Sequence, residues 1–216
     1  MDKVNISFSL RLRKDFYSCP AESLARRILG RVLVFHPQKS VLLAGRIVET
    51  EAYLGVKDPA SHAYEGRVTG RNRVMYSPPG TVYVYLIYGV YICFNITAGR
   101  KDAAETVFIR ALEPVLGMGD MIKNNPVRKS SSFLSNGVKN IKYLTAGPCR
   151  WTKSFAVNLS LSGQKIYSRR IYVTGSESLP AKSIVSKKRI GIDYAGRAKN
   201  RLLRFYIKDN DFVSKK

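Results

Sequence analysis

The chain has 216 residues, 45% of them hydrophobic and 24% charged, which suits one globular domain and excludes a disordered polyelectrolyte. Lysine and arginine total 37 against 15 aspartates and glutamates, a formal net charge of +22 that predicts a polyanionic partner, nucleic acid before an acidic membrane surface. Three scattered cysteines give no disulfide framework, two histidines give no local zinc motif, no GxxxxGK[ST] or GxGxxG loop is present, and no apolar run could span a bilayer.

At the N-terminus, Met1-Asp2-Lys3-Val4-Asn5 leads into no long apolar stretch, so no signal peptide is expected and the reading is of a reduced, intracellular protein. A short helix starts near Pro20, with Glu22 favouring its N-terminal dipole, Leu24 and Ile28 on one face and Gly30 as a stop. Arg31–Phe35 and Val41–Thr50 read as strands joined by a turn at 36–40. Residues 55–80, punctuated by glycines and prolines, read as a long ordered loop, a feature that in a compact domain is usually functional.

Thr81–Thr97 is strongly β-prone, and Gly89 near its middle predicts a hairpin with Tyr88 at the tip. Val107–Leu112 reads as another strand, and the polar stretch Lys123–Lys142 as a surface excursion. A second helix is expected after Pro148, with Trp151 and Phe155 on one face and Asn158 near its end. Ile171–Thr174 and Leu202–Ile207 read as the last strands. No repeat or linker divides the chain, so residues 1–216 are expected to form a single domain of α+β class, a curved antiparallel sheet with peripheral helices.

Two groupings carry chemistry. Side chains alternate along a strand, so Glu49, Glu51 and Tyr53 share a face if the strand runs that far, next to a loop carrying His62. The same pattern also suits an edge strand whose glutamates meet water or a lysine. Tyr83, Tyr85, Tyr88 and Tyr91 crowd into nine residues, as stacking platforms for bases or as strand residues packed with their hydroxyls at the rim.

The segments Val48-Glu49-Thr50-Glu51-Ala52-Tyr53-Leu54-Gly55, Ser61-His62, Arg71-Asn72-Arg73, Pro79 to Gly89, Asn95-Ile96 and Ile109-Arg110-Ala111-Leu112-Glu113-Pro114 closely resemble the alkyladenine (3-methyladenine) DNA glycosylase family. Leu144-Thr145-Ala146-Gly147-Pro148 and Leu203-Arg204-Phe205-Tyr206 are similar to it too, so the resemblance runs over nearly the whole chain. It implies one domain with a mixed, open-barrel-like sheet and a protruding β-hairpin. It implies hydrolysis of the N-glycosidic bond of damaged purines in double-stranded DNA, by a monomer acting at DNA inside the cell, with no cofactor, metal or membrane.

On the same resemblance, Glu51 matches the general base that activates water, and Arg110 an arginine that helps hold that water. Tyr53, His62 and Tyr85 match the walls around an extruded base. Asn95 matches a pocket-floor residue opposing the 2-amino group of guanine, and Tyr88 the residue that fills the gap left in the duplex. The roles answer the chemistry. A stacked base is out of reach until its nucleotide is flipped, at a cost of a few kcal/mol. Cationic alkylpurines are attracted to aromatic faces by about 0.5–2 kcal/mol, and a carboxylate can deprotonate water while stabilising an oxocarbenium-like sugar. Two other readings are a non-catalytic nucleic-acid-binding protein that uses the tyrosines only to stack, and a glycosylase/lyase acting through a lysine, of which Lys57 is nearest in sequence to the motifs.

Overall fold

The computed structural model describes residues 6–126, 137–175 and 179–216. Two twelve-residue antiparallel strands, β2 (Leu43–Leu54) and β5 (Glu105–Leu116), form its spine. The other strands are β1 (Val32–Phe35), β3 (Val82–Ile87), β4 (Tyr91–Ala98), β6 (Ile171–Thr174), β7 (Ile184–Lys187) and β8 (Arg204–Ile207). The sheet runs β3-β4-β5-β2-β1-β6. It forks at β2, whose first half pairs with β1 and whose second half pairs with β8, which carries β7 on its other edge. Every pairing between the described strands is antiparallel, and the sheet does not close.

The helices are short: α1 (Lys14–Tyr17), α2 (Ala21–Arg27), α3 (Met118–Asn124), α4 (Gly137–Thr145) and α5 (Pro148–Ser154). α2 presents Ala21, Leu24 and Ala25 to the core, and its first N–H, on Ala21, donates to the Glu105 carboxylate at 2.6 Å. α5 covers a seam in the sheet. β4 and β5 pair only over Asn95–Ala98 and Glu105–Phe108, then diverge. Past that point Trp151 Nε1 donates to the Ile109 carbonyl and Thr152 Oγ1 to the Ile92 carbonyl, both at 2.9 Å, so α5 satisfies backbone groups that the ladder would otherwise have paired. Trp151, Phe155 and Phe94 pack edge to face around that seam.

The spine contains a compensated defect. Ile47 pairs with Leu112, Glu49 with Ala111 and Thr50 with Ile109, so Val48 on β2 and Arg110 on β5 each lack an opposite residue. A one-residue slip moves every later side chain to the other face. Here the two slips cancel in register but switch the phase of both strands. Ile47, Ile109 and Leu112 therefore lie in the main core, and Thr50 there donates to the Ala25 carbonyl. Glu49, Glu51 and Arg110 meet on the opposite face.

Several expected boundaries shift. β2 runs on to Leu54 rather than stopping at Thr50, because β5 and β8 pair with its continuation. β5 extends beyond Val107–Leu112 at both ends for the same reason. α5 stops at Ser154 because Ala156 takes a positive φ of 53°, and Asn158 instead caps the next turn, its Oδ1 accepting from Ser160 N at 3.0 Å. β7, α1, α3 and α4 were not legible. Of the polar stretch Lys123–Lys142, residues 127–136 lie outside the described residues, and the rest contributes the ends of α3 and α4.

Candidate active site

Strand register aligns the site. Tyr83, Asn95, Phe108, Glu51 and Arg204 are successive partners across β3, β4, β5, β2 and β8, so their side chains form one row on the face away from α2. Thr106 and Tyr53 form the next row, and Tyr85 pairs with Cys93 on the same face. A cleft of about 730 Å³ opens over these rows, large enough for a nucleoside-sized group. Tyr53, His62, Tyr85, Tyr88, Asn95 and Arg110 all line it.

Glu51 stands directly behind that lining. It is 0% exposed; its carboxylate accepts hydrogen bonds from Tyr53 Oη at 2.9 Å and Ile190 N at 2.8 Å and is ion-paired with Arg110 Nη1 at 3.1 Å. All three donor residues line the cleft. Every partner is a donor, so both carboxylate oxygens act as acceptors. Burial, reinforced by the Glu51 charge, holds the Tyr53 hydroxyl well above its ordinary pKa and keeps it a donor.

Arg110 is set by a second glutamate. Its Nε donates to Glu49 at 3.1 Å, while Glu49 also takes Arg204 Nη1 at 2.9 Å and Ser214 N at 2.7 Å. Burial alone would lower the Arg110 pKa; Glu51 and Glu49 outweigh it and hold the guanidinium charged. With Nε and Nη1 engaged, Nη2 has no partner among the described residues.

Tyr53 is steadied from behind by an ion pair in the protein interior. Arg189 and Asp58 are paired through two hydrogen bonds, with side chains at 0% exposure, and the guanidinium sits 4.7 Å over the Tyr53 ring. Asp58 also accepts from Leu54 N at 3.0 Å and Ala60 N at 3.1 Å, which folds the 55–62 loop back onto the strand end. Burial would push its carboxyl up; the Arg189 contacts and the two N–H groups hold it below the usual value. Gly55, at φ 68°, makes that turn where any Cβ would collide with the Ala103 carbonyl oxygen.

His62 is fixed in one protonation state. Arg71 Nη2 can only donate, so Nε2 accepts it at 3.2 Å, and Nδ1–H is left to donate to Tyr83 Oη at 3.0 Å. Burial and the Arg71 charge lower its pKa to about 4, so the ring is neutral at pH 7. It meets Tyr85 edge to face at 4.7 Å. Asn72 anchors the loop beneath, donating from Nδ2 to the carbonyls of His62 (2.7 Å) and Arg67 (2.9 Å). Asn95 Nδ2 donates to the Tyr83 carbonyl at 3.3 Å.

Tyr88 is at the hairpin tip. It and Gly89 have φ of 53° and 68°, and Val90 N closes the turn on Ile87 O at 3.3 Å. Tyr88 is 85% exposed, with Val90 and Tyr91 exposed beside it.

The candidate residues thus gather around one cleft. Sequence reasoning missed Asp58 and Arg189, placed Glu49 on the Glu51 face without a task, took Arg71 only as part of a motif, and read Tyr83 as a stacking platform or a packed strand residue rather than as a partner of His62. Arg189 lay concealed in a basic run, Lys187-Lys188-Arg189, that reads as a solvated face. Among the described residues, no group of three or more His, Cys, Asp or Glu gathers as a metal site, and no helix is long and apolar enough to cross a membrane.

The family model described as "Methylpurine-DNA glycosylase" matches residues 15–211. A Clostridium perfringens (strain 13 / Type A) protein named "Putative 3-methyladenine DNA glycosylase" is 47% identical over 210 residues, 96% of this chain and 100% of that one. Proteins of the same name from Desulfitobacterium hafniense and Clostridium novyi are 40% and 39% identical over 206 residues, each covering 95% of this chain and 99% of theirs.

Proposed function

This chain belongs to the methylpurine-DNA glycosylase family, hydrolases of N-glycosyl bonds in DNA, and from that premise we propose that it extrudes alkylated or deaminated purines from duplex DNA and cleaves them with Glu51 as general base. The observation that carries the reading is the buried Glu51 carboxylate, fed by donors that all line the cleft.

A flipped purine lies between Tyr53, His62 and Tyr85. A neutral His62 adds no repulsion to a cationic base such as 3-methyladenine, and the rings attract it. Water held by Arg110 Nη2 attacks C1′. The C–O bond forms as the C1′–N bond breaks, the electron pair leaves with the base, and the water proton passes to Glu51. The Glu51 charge also stabilises the cationic sugar in a site largely shielded from water. Asn95 opposes a 2-amino group at the pocket floor, disfavouring guanine. The +22 charge supplies non-specific affinity for the duplex, and Tyr88 enters the vacated stack.

The test is a panel of single-lesion duplexes treated with the monomeric protein and then with alkali. Strand breaks are expected at 3-methyladenine or hypoxanthine and none at undamaged guanine. A panel with no break at any damaged purine overturns the reading. Borohydride trapping tests the lyase alternative, and a covalent protein–DNA adduct would favour it.

A further inference from the structure

The seam between β4 and β5 brings together two cysteines that the hydrolysis does not use. Cys93 lies on β4 just past its last pairing with β5, and Cys149 is the second residue of α5, the helix that fills the gap. The Thr152 hydroxyl binds both segments, contacting the Ile92 carbonyl at 2.9 Å and the Cys149 carbonyl at 3.3 Å. Both cysteines line the cleft, Cys93 buried and Cys149 half-buried, and each thiol lies close enough to the other to shift its titration.

The two thiols are unequal. The neighbouring Cys93 thiol, helped by the Arg110 charge and opposed by burial, lowers the Cys149 pKa to about 7. The same contact and burial drive Cys93 far upward, keeping it protonated. A half-exposed thiolate, a nearby arginine and an adjacent second thiol together favour selective oxidation.

We propose that Cys93 and Cys149 form a peroxide-reactive dithiol in the wall of the cleft. The Cys149 thiolate attacks one oxygen of hydrogen peroxide, the O–O bond breaks, and the departing hydroxide takes up a proton to leave as water. The resulting sulfenic acid is attacked by the Cys93 sulfur as its proton is lost. The S–S bond forms, the S–O bond breaks, and a second water departs. Two thiols are oxidised by two electrons and one peroxide is reduced. The product ties β4 to α5 beside Tyr85, the cross-strand partner of Cys93.

The experiment uses the full chain without DNA, so it reads thiol chemistry independently of base excision. The protein is treated at pH 7 with hydrogen peroxide and mapped by non-reducing peptide mass spectrometry. The expected result is an intramolecular disulfide joining the Cys93 and Cys149 peptides, reversed by dithiothreitol. Cys19→Ser, outside the cleft, should still form it. Cys93→Ser should stall Cys149 as a sulfenic acid that dimedone traps. In the untreated protein, iodoacetamide should label Cys149 at least about tenfold faster than Cys93 at pH 7. The proposal is overturned if Cys19 is the residue oxidised, if Cys149 proceeds to sulfinic acid with Cys93 free, or if only intermolecular disulfides form. The wild-type map alone decides this should a variant fail to fold.

Discussion

In the wall of the cleft, Tyr53 is held at both ends: its hydroxyl donates to Glu51 and its ring lies under the Arg189 guanidinium. At the hairpin tip, Tyr88 is almost wholly exposed, in a backbone conformation that a tyrosine rarely adopts. The first tyrosine is fixed by a network whose charges are all partnered, where precise placement of a water matters. The second is presented to whatever approaches the rim, at a local cost that the folded chain gains nothing from. A residue strained in the free protein and unsupported by its neighbours suits a contact that exists only in a complex. Changes in the network should therefore damage chemistry or stability, and changes at the tip should damage only binding steps.

The largest effect is expected from Glu51→Gln, which keeps the shape and removes the base. Single-turnover excision should fall by about 10²–10⁴-fold, with duplex binding retained or tightened as a negative charge leaves. A rate within a few-fold of the parent would remove Glu51 from the mechanism. Asp58→Ala comes next, because it strands Arg189 as a buried cation. Urea denaturation should register a loss of about 3–5 kcal/mol, and an unchanged midpoint would mean that the pair does not anchor the loop.

Tyr88→Gly sharpens the contrast, since two readouts should part company. Flipping of ethenoadenine, followed by stopped-flow fluorescence, should weaken by roughly five- to 150-fold if about 1–3 kcal/mol of stacking is lost. Stability should stay level or rise by up to about 1 kcal/mol as the positive φ is relieved. An unchanged flipping equilibrium would make Tyr88 an ordinary turn residue.

The last effect concerns pH. His62 titrates near 4 in the folded chain and near 6.5 when unfolded. Between those values the unfolded chain binds the extra proton, so stability should be full above about pH 6.5 and decline as pH falls toward 4. His62→Gln should flatten that slope. Asp58, whose pKa is lowered, acts below the ordinary carboxylate value and leaves this window clear. A slope that survives the substitution would place the proton uptake elsewhere.

Much of the architecture was legible because it follows from local rules. Period-two alternation put Glu49, Glu51 and Tyr53 on one face, and Tyr88-Gly89 marked the turn. Proline opened α5 where expected, and Trp151 and Phe155 went to the core. The elements that escaped notice, β7 and the short helices α1, α3 and α4, have too few residues to establish a period, and tertiary contacts rather than local preference fix them.

By itself, then, the amino-acid order determined the class of fold, the turn that presents Tyr88 and the motifs that name the family, since each is encoded within a few neighbouring residues. Only the tertiary structure decided how the site is wired. The paired bulges at Val48 and Arg110 turn an arginine toward two glutamates while preserving the register on either side. Arg189 reaches Asp58 across 131 residues of chain, and the split between β4 and β5 lets Cys149 meet Cys93. Bulge positions and long-range ion pairs arise from the competition of whole strands for register and of buried charges for partners, which no local window of sequence contains.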